Sequence, residues 1–230
     1  MKKVLSVILA VLMLFSVFST LSFAGNQTQS AVESADIGKY MLADGIYYFP
    51  DSVTALESGA FEGAGAKAVC FTGEAVSLPE STGLDKNAVI IINNAAKDSK
   101  GNDAKFGAAN TGCKWFAFDV LSFFGKTVLA FFYEPVLNDD TVPCIEKLIE
   151  EAKPDYIYFE SLNGKSSFYA KGNAPLQDII DGNADANPGF IVNILMNFYT
   201  GLLEPKDKFY KNPGLNAFAA IIMGIFRKKK

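Results

Sequence analysis

Four short apolar runs recur through the first half of the chain, at residues 46–49, 68–71, 89–92 and 115–118, and they constrain its fold more than any other feature. Their centres, Tyr47, Val69, Ile90 and Phe116, lie 22, 21 and 26 residues apart. A unit of about 20–29 residues holds one strand, a corner and a return, but it cannot bury its apolar face alone. Stacked units can, so the spacing predicts a solenoid in which each unit lays one strand beside the last. The corner is legible as well. Tyr48-Phe49-Pro50-Asp51-Ser52 ends the first run, and Val53 and Leu56 follow one helical step apart. Gly59-Ala60 then delivers a large anchor, Phe61, and Gly63 turns the chain back. The apolar-Pro-acid-Ser corner returns as Leu78-Pro79-Glu80-Ser81.

Phe49-Pro50-Asp51-Ser52-Val53-Thr54-Ala55-Leu56, followed by Gly59-Ala60-Phe61-Glu62-Gly63, resembles the BspA-like leucine-rich repeat family of bacterial surface proteins. That family carries an apolar-Pro-Asp-Ser-Val-Thr corner and then Gly-x-Ala-Phe-x-Gly-Cys. One unit matches well and a degenerate second ends near Asp119, so the resemblance covers residues 46–119. Ala64 stands where the family has Cys, and the Leu expected before the next strand is missing from Ala66-Lys67-Ala68. The expected fold is therefore α+β. A short leucine-rich-repeat-like solenoid occupies residues 39–119, and a mixed helix/hairpin C-terminal region occupies residues 120–230, ending in an apolar helix and a basic tail. The resemblance implies a surface-displayed or secreted scaffold; it assigns no site, because a repeat presents contacts rather than chemistry.

Export is also expected from the N-terminus. Met1-Lys2-Lys3, an apolar stretch over residues 4–18, and small residues at Ser22 and Ala24 have the layout of a secretory signal peptide cleaved before Gly25. The apolar stretch is short for a membrane span. Residues 25–38 are polar and lack periodicity, as a linker would. The net charge of −4 becomes more negative once Lys2 and Lys3 leave, which argues against a nucleic-acid partner. Cys70, Cys113 and Cys144 allow at most one disulfide, and their spacing fits no metal clamp. Each lies in or near an apolar run and reads as a small buried hydrophobe.

Gly63-Ala64-Gly65-Ala66-Lys67-Ala68 satisfies the dinucleotide pattern G-x-G-x-x-A, but that pattern needs a helix after it to receive phosphate. A strand follows here, so the glycines read as a turn. Residues 104–109 read as a short helix, with Trp115-Phe116-Ala117-Phe118-Asp119 as a closing strand. Residues 120–133 admit two readings. Leu121, Phe124, Val128, Phe131 and Phe132 share one helical face; equally, a strand over residues 127–132 could open a βαβ unit. That unit would pass through a helix over residues 142–152, with Ile145, Leu148 and Ile149 as its apolar stripe, into a strand over residues 156–159. Asn163-Gly164 then predicts a type I′ hairpin that pairs Phe159 with Phe168 and Tyr158 with Tyr169.

Asp181, Asn183, Asp185 and Asn187 alternate as calcium ligands do, yet Gly is absent at the sixth position and Val192 stands at the twelfth. A solvated loop explains them, with Asn187 as N-cap and Pro188 opening a helix over residues 188–203. At the C-terminus, Asn212-Pro213-Gly214-Leu215-Asn216, an apolar run over residues 217–226 and Arg227-Lys228-Lys229-Lys230 follow the order of a sorting signal. The run would span only about 15 Å as a helix, half a bilayer core. A weak membrane-surface contact through residues 215–230, from Leu215 to Lys230, fits better, and a core helix with a solvated tail fits equally.

The chain has no histidine, which excludes Ser-His-Asp and Cys-His catalysis and any His-ligated metal. Neither G-x-S-x-G nor S-x-x-K occurs. Asp139-Asp140 and Glu150-Glu151 are adjacent acidic pairs, but sequence neighbours on a helix do not face one another. No catalytic, cofactor or metal residue is assigned. The expected function is that of an exported protein, not an enzyme, that binds a protein or glycan ligand outside the cell. The alternatives are an extracellular carboxylate-dependent hydrolase and a membrane-associated accessory protein.

Overall fold

The computed structural model describes residues 31–32 and 36–203. The expected leader over residues 1–24 and the tail over residues 215–230 lie outside the described residues. The apolar runs become strands: β1 Met41–Ala43, β2 Ile46–Phe49, β3 Ala68–Phe71, β4 Val89–Asn93, β5 Lys114–Phe123, β6 Lys126–Phe132, β7 Tyr156–Leu162 and β8 Lys165–Lys171. Among the described residues the α-helices are α1 Ala104–Asn110, α2 Val142–Ala152, α3 Leu176–Ile180 and α4 Phe190–Leu203, and a 3-10 turn, Ile37–Tyr40, precedes β1. All eight strands join one sheet in chain order. Strands β2 to β5 are parallel and in register, Tyr47 beside Val69, Val69 beside Ile90, and Ile90 beside Trp115. The β1/β2, β5/β6 and β7/β8 pairs are antiparallel, and β6 runs parallel to β7 across α2.

This overturns the expected solenoid with a mixed region behind it. The 21-to-26-residue spacing does mark successive parallel strands, and their corners stack through parallel bridges Val32–Leu56, Ala55–Ser77 and Ala75–Lys97. Spacing reports one strand per unit, however, and says nothing about what covers the other face of the sheet. Strands β3 and β4 are apolar on both faces and buried on both, as near-continuous apolar runs in a parallel sheet are. One face is filled by α2 from the second half of the chain. Strand β5, expected to close a solenoid at Asp119, continues to Phe123 and carries β6 on its other edge. The result is a single mixed sheet with few helices.

Three apolar clusters divide the two faces. On the first, Cys70, Ile91, Phe116, Phe131 and Phe159 pack beneath Cys144, Ile145 and Leu148 of α2 and beneath Leu176 and Ile179 of α3. On the second, the corners and α1 cover the early strands, where Phe49, Phe61, Phe71 and Ile92 meet. Further along the same face, α4 lays Val192, Leu195, Met196 and Tyr199 on Leu121, Phe132, Tyr158 and Tyr169.

For residues 120–133 the strand reading is the one adopted. Phe124 and Gly125 turn β5 into β6 with φ of 51° and 75°, the two positive angles a tight type I′ connection requires. The Asn163-Gly164 hairpin has φ of 51° and 76° and pairs Phe159 with Phe168 and Tyr158 with Tyr169, as expected. Helix α4 starts at Phe190 rather than Pro188, because the backbone N–H of Gly189 donates to Asn187 Oδ1 at 2.9 Å and Gly189 turns at φ 84°. Among the described residues no helix is long and apolar enough to cross a membrane.

Candidate functional site

An open hollow of about 540 Å³ lies where the β7/β8 hairpin meets the start of α4. Its floor follows from the hairpin register. Period-two alternation puts Tyr158 and Tyr169 on one face, where their rings sit 5.0 Å apart at 56°. The chain returning toward α4 runs along the free edge of β8. Ala186 N–H donates to the Tyr169 carbonyl at 2.7 Å, and Asp185 bridges Ala170. The far wall is α4, whose Asn193 and Asn197 stand one turn apart and both line the hollow. Phe190, one turn before Asn193 on the same helical stripe, is 80 % exposed.

The polar side chains in this hollow are amides, hydroxyls and one carboxylate, that of Asp185. The Tyr169 hydroxyl donates to Asn193 Oδ1 at 3.4 Å. Burial, and then the neighbouring Tyr158, holds the Tyr169 phenol above its ordinary range, so it stays a neutral donor. The carboxylate of Asp185 is engaged by Lys165, whose Nζ donates to its two oxygens at 2.6 and 2.8 Å while lying 4.4 Å from the Phe168 ring centre. Charge at the rim is thus internally compensated.

A second polar group is enclosed rather than open. Asp119 sits on the second face of β5, between Ala117 of one cluster and Leu121 of the next. Its Oδ2 accepts from Asn94 Nδ2 at 2.9 Å and from the Tyr199 hydroxyl at 2.6 Å. Lys105 Nζ extends the group, donating to Asn94 Oδ1 at 3.3 Å and to the Tyr133 hydroxyl at 3.1 Å. Asn94, Asp119 and Tyr199 are buried, so this seam joins two cores.

The residues weighed from sequence go to separate places. Asp181 accepts from Gln177 at 3.0 Å, Asp185 holds Lys165, and Asn187 caps Gly189. Among the described residues no group of three His, Cys, Asp or Glu side chains could hold a metal ion. Lys147 Nζ lies 2.8 Å from Glu150 and 3.8 Å from Glu151, and Glu151 also accepts from the Tyr48 hydroxyl at 2.8 Å, so both carboxylates are engaged by neighbours. Asp139 and Asp140 lie in the turn before α2, where Asn138 accepts from the Thr141 N–H. Sequence reasoning passed over Asn193, Asn197 and Tyr169. The available signal was the pair of amides four residues apart on an otherwise apolar helix.

The class that these features define is a layered α/β protein: one mixed sheet, with α2 and α3 on one face and the corners, α1 and α4 on the other. No family model matches the chain, and no curated protein or solved structure matches it either.

Proposed function

We propose that this chain is an exported bacterial surface or secreted protein that binds a neutral, hydroxyl-rich ligand, a short saccharide, in the hollow between β8 and α4. One observation carries the reading: the hollow is lined by Asn187, Asn193, Asn197, Ser167 and Tyr169, with its one acid, Asp185, held by Lys165. An amide side chain both donates and accepts, and so does every sugar hydroxyl, so the two are matched in a way that an anion or a cation is not. Exposed Phe190 beside the amides offers an apolar surface to the C–H face of a sugar ring. Export is motivated by the basic, apolar and small-residue order of residues 1–24.

Calorimetric titration with a panel of neutral oligosaccharides tests the binding. At least one should bind, and the Asn193→Ala/Asn197→Ala variant should weaken it by about tenfold or more, the effect of roughly 1.4 kcal/mol. Absence of binding across the panel, or equal binding by the variant, would overturn the proposal. Mass spectrometry of secreted material tests export separately, with Gly25 as the expected first residue.

A further inference from the structure

Three cysteines permit three pairings, and the fold leaves one. Cys113 lies in the cluster under the corners and α1, and its Sγ is 3.4 Å from the Asp85 carbonyl oxygen. Cys70 and Cys144 lie together in the cluster on the opposite face of the sheet. A sheet separates Cys113 from both. Cys70 is the third residue of β3, registered between Tyr48 of β2 and Ile91 of β4. Cys144 is in the first turn of α2, with its Sγ 3.7 Å from the carbonyl oxygen of Tyr47, the residue before Tyr48. Tyr48 is the register partner of Cys70, so Cys144 packs over the β2/β3 pair that carries Cys70, and both are fully buried free thiols in the one cluster that α2 covers.

We propose that Cys70 and Cys144 are a disulfide pair, formed as the chain folds in an oxidising compartment, with Cys113 left as a thiol. The bond would tie α2 from the second half of the sheet to β3 in the first. This is the packing that turns separate parallel strands into a single covered sheet. Two S–H bonds break and one S–S bond forms. Two electrons and two protons pass by thiol–disulfide exchange to a disulfide oxidant, whose own S–S bond opens to two thiols. The exchange accompanies the docking of α2, which brings the two sulfurs together. Once closed, the site excludes the oxidant, and burial followed by the neighbouring Cys144 raises the Cys70 thiol well above its ordinary value, suppressing the thiolate that must attack. Tyr48 closes the outer side, its hydroxyl donating to Glu151 at 2.8 Å.

The test is to refold the full chain in a buffer of reduced and oxidised glutathione, alkylate the remaining thiols under denaturing conditions, and map the peptides by mass spectrometry. The expected product has the Cys70 and Cys144 peptides linked and Cys113 alkylated. Three alkylated cysteines, or any linkage through Cys113, would overturn the pairing. A second measurement does not depend on the map. Reductant should lower the Tm of the parent and of Cys113→Ser, and leave the Tm of Cys144→Ser unchanged. A Tm insensitive to reductant in the parent sinks the proposal even if Cys144→Ser fails to fold. Neither readout involves the saccharide hollow, so its failure and failure of the binding proposal are distinguishable.

Discussion

Tyr199, on α4, donates its hydroxyl to Oδ2 of Asp119, on β5, at 2.6 Å, across 80 residues of chain. Asp119 stands where an apolar residue would otherwise continue the alternation Ala117, Leu121, Phe123 along the second face of β5. It marks the point where the covering layer changes from corners to helix. Buried polar groups are costly unless bonded, so α4 satisfies this carboxyl only in one placement over the sheet. The contact therefore fixes where the helix, and the hollow at its start, sits.

Removing that hydroxyl should loosen α4. Tyr199→Phe keeps the ring that packs 6.2 Å from Phe132 and deletes one donor to a buried carboxyl, a loss of about 1–3 kcal/mol. Urea denaturation gives the cost. Hydrogen exchange should show it concentrated in α4 and β6, with the early strands unchanged. A variant as stable as the parent would show that the seam does not hold the helix.

Phe61 anchors the first corner. It is 1 % exposed, with its ring edge-on to Tyr47 at 5.2 Å and to Phe49 at 6.0 Å. Phe61→Ala should cost about 3–5 kcal/mol, while exposed Glu62→Ala should change little. Equal small effects in thermal melts would mean that the corner is not part of the cooperative core.

What was legible in the sequence was local. The register of Phe159 with Phe168 followed from Asn163-Gly164, because a type I′ turn leaves no freedom in pairing. The role of Phe61 followed from its place after Gly59-Ala60. The β5/β6 turn was not legible, since Phe124 at positive φ is an unusual choice and its side chain mimics a helical stripe with Leu121 and Val128. Nor was the docking of α2 on β3, because an amphipathic stripe states that a face is buried but not against what. The hollow depends on Tyr169 meeting Asn193 from 24 residues away, a relation no local pattern encodes.

The Lys126–Asp155 pair should leave a signature at acid pH. Lys126 Nζ lies 2.7 Å from Asp155 Oδ1, and the Thr127 N–H donates to Oδ2 at 2.9 Å. Lys126 first, then Thr127, holds the Asp155 carboxyl below its ordinary value of 3.8. A depressed folded value means stability that is present above pH 3.8 and lost as pH falls through the folded value. Comparing Tm against pH for the parent and Asp155→Asn, the gap should hold at neutral pH and narrow below 3.8. A gap indifferent to acid would show that the pair is screened out.

Two glycines, finally, should respond to alanine in opposite directions. Gly172 follows β8, and its N–H donates to the Asp155 carbonyl at 2.9 Å. A Cβ there would lie 1.7 Å from the Pro154 carbonyl oxygen and 2.6 Å from its carbon. Both are backbone atoms beside the paired start of β7, so neither can rotate away as a side chain could. Gly172→Ala must therefore part the open end of the β7/β8 hairpin, at a cost of about 1–3 kcal/mol or more. Gly107 is inside α1, where a Cβ would meet the Leu78 Cβ at 3.6 Å and its carbonyl oxygen at 3.8 Å, both ordinary contacts. Gly107→Ala lowers the conformational entropy of the unfolded chain and should add about 0.5–1 kcal/mol. Urea denaturation of the two variants beside the parent measures both. If Gly172→Ala is as stable as the parent, β8 does not approach Pro154 as closely as this fold requires, and the floor of the hollow is set by something else.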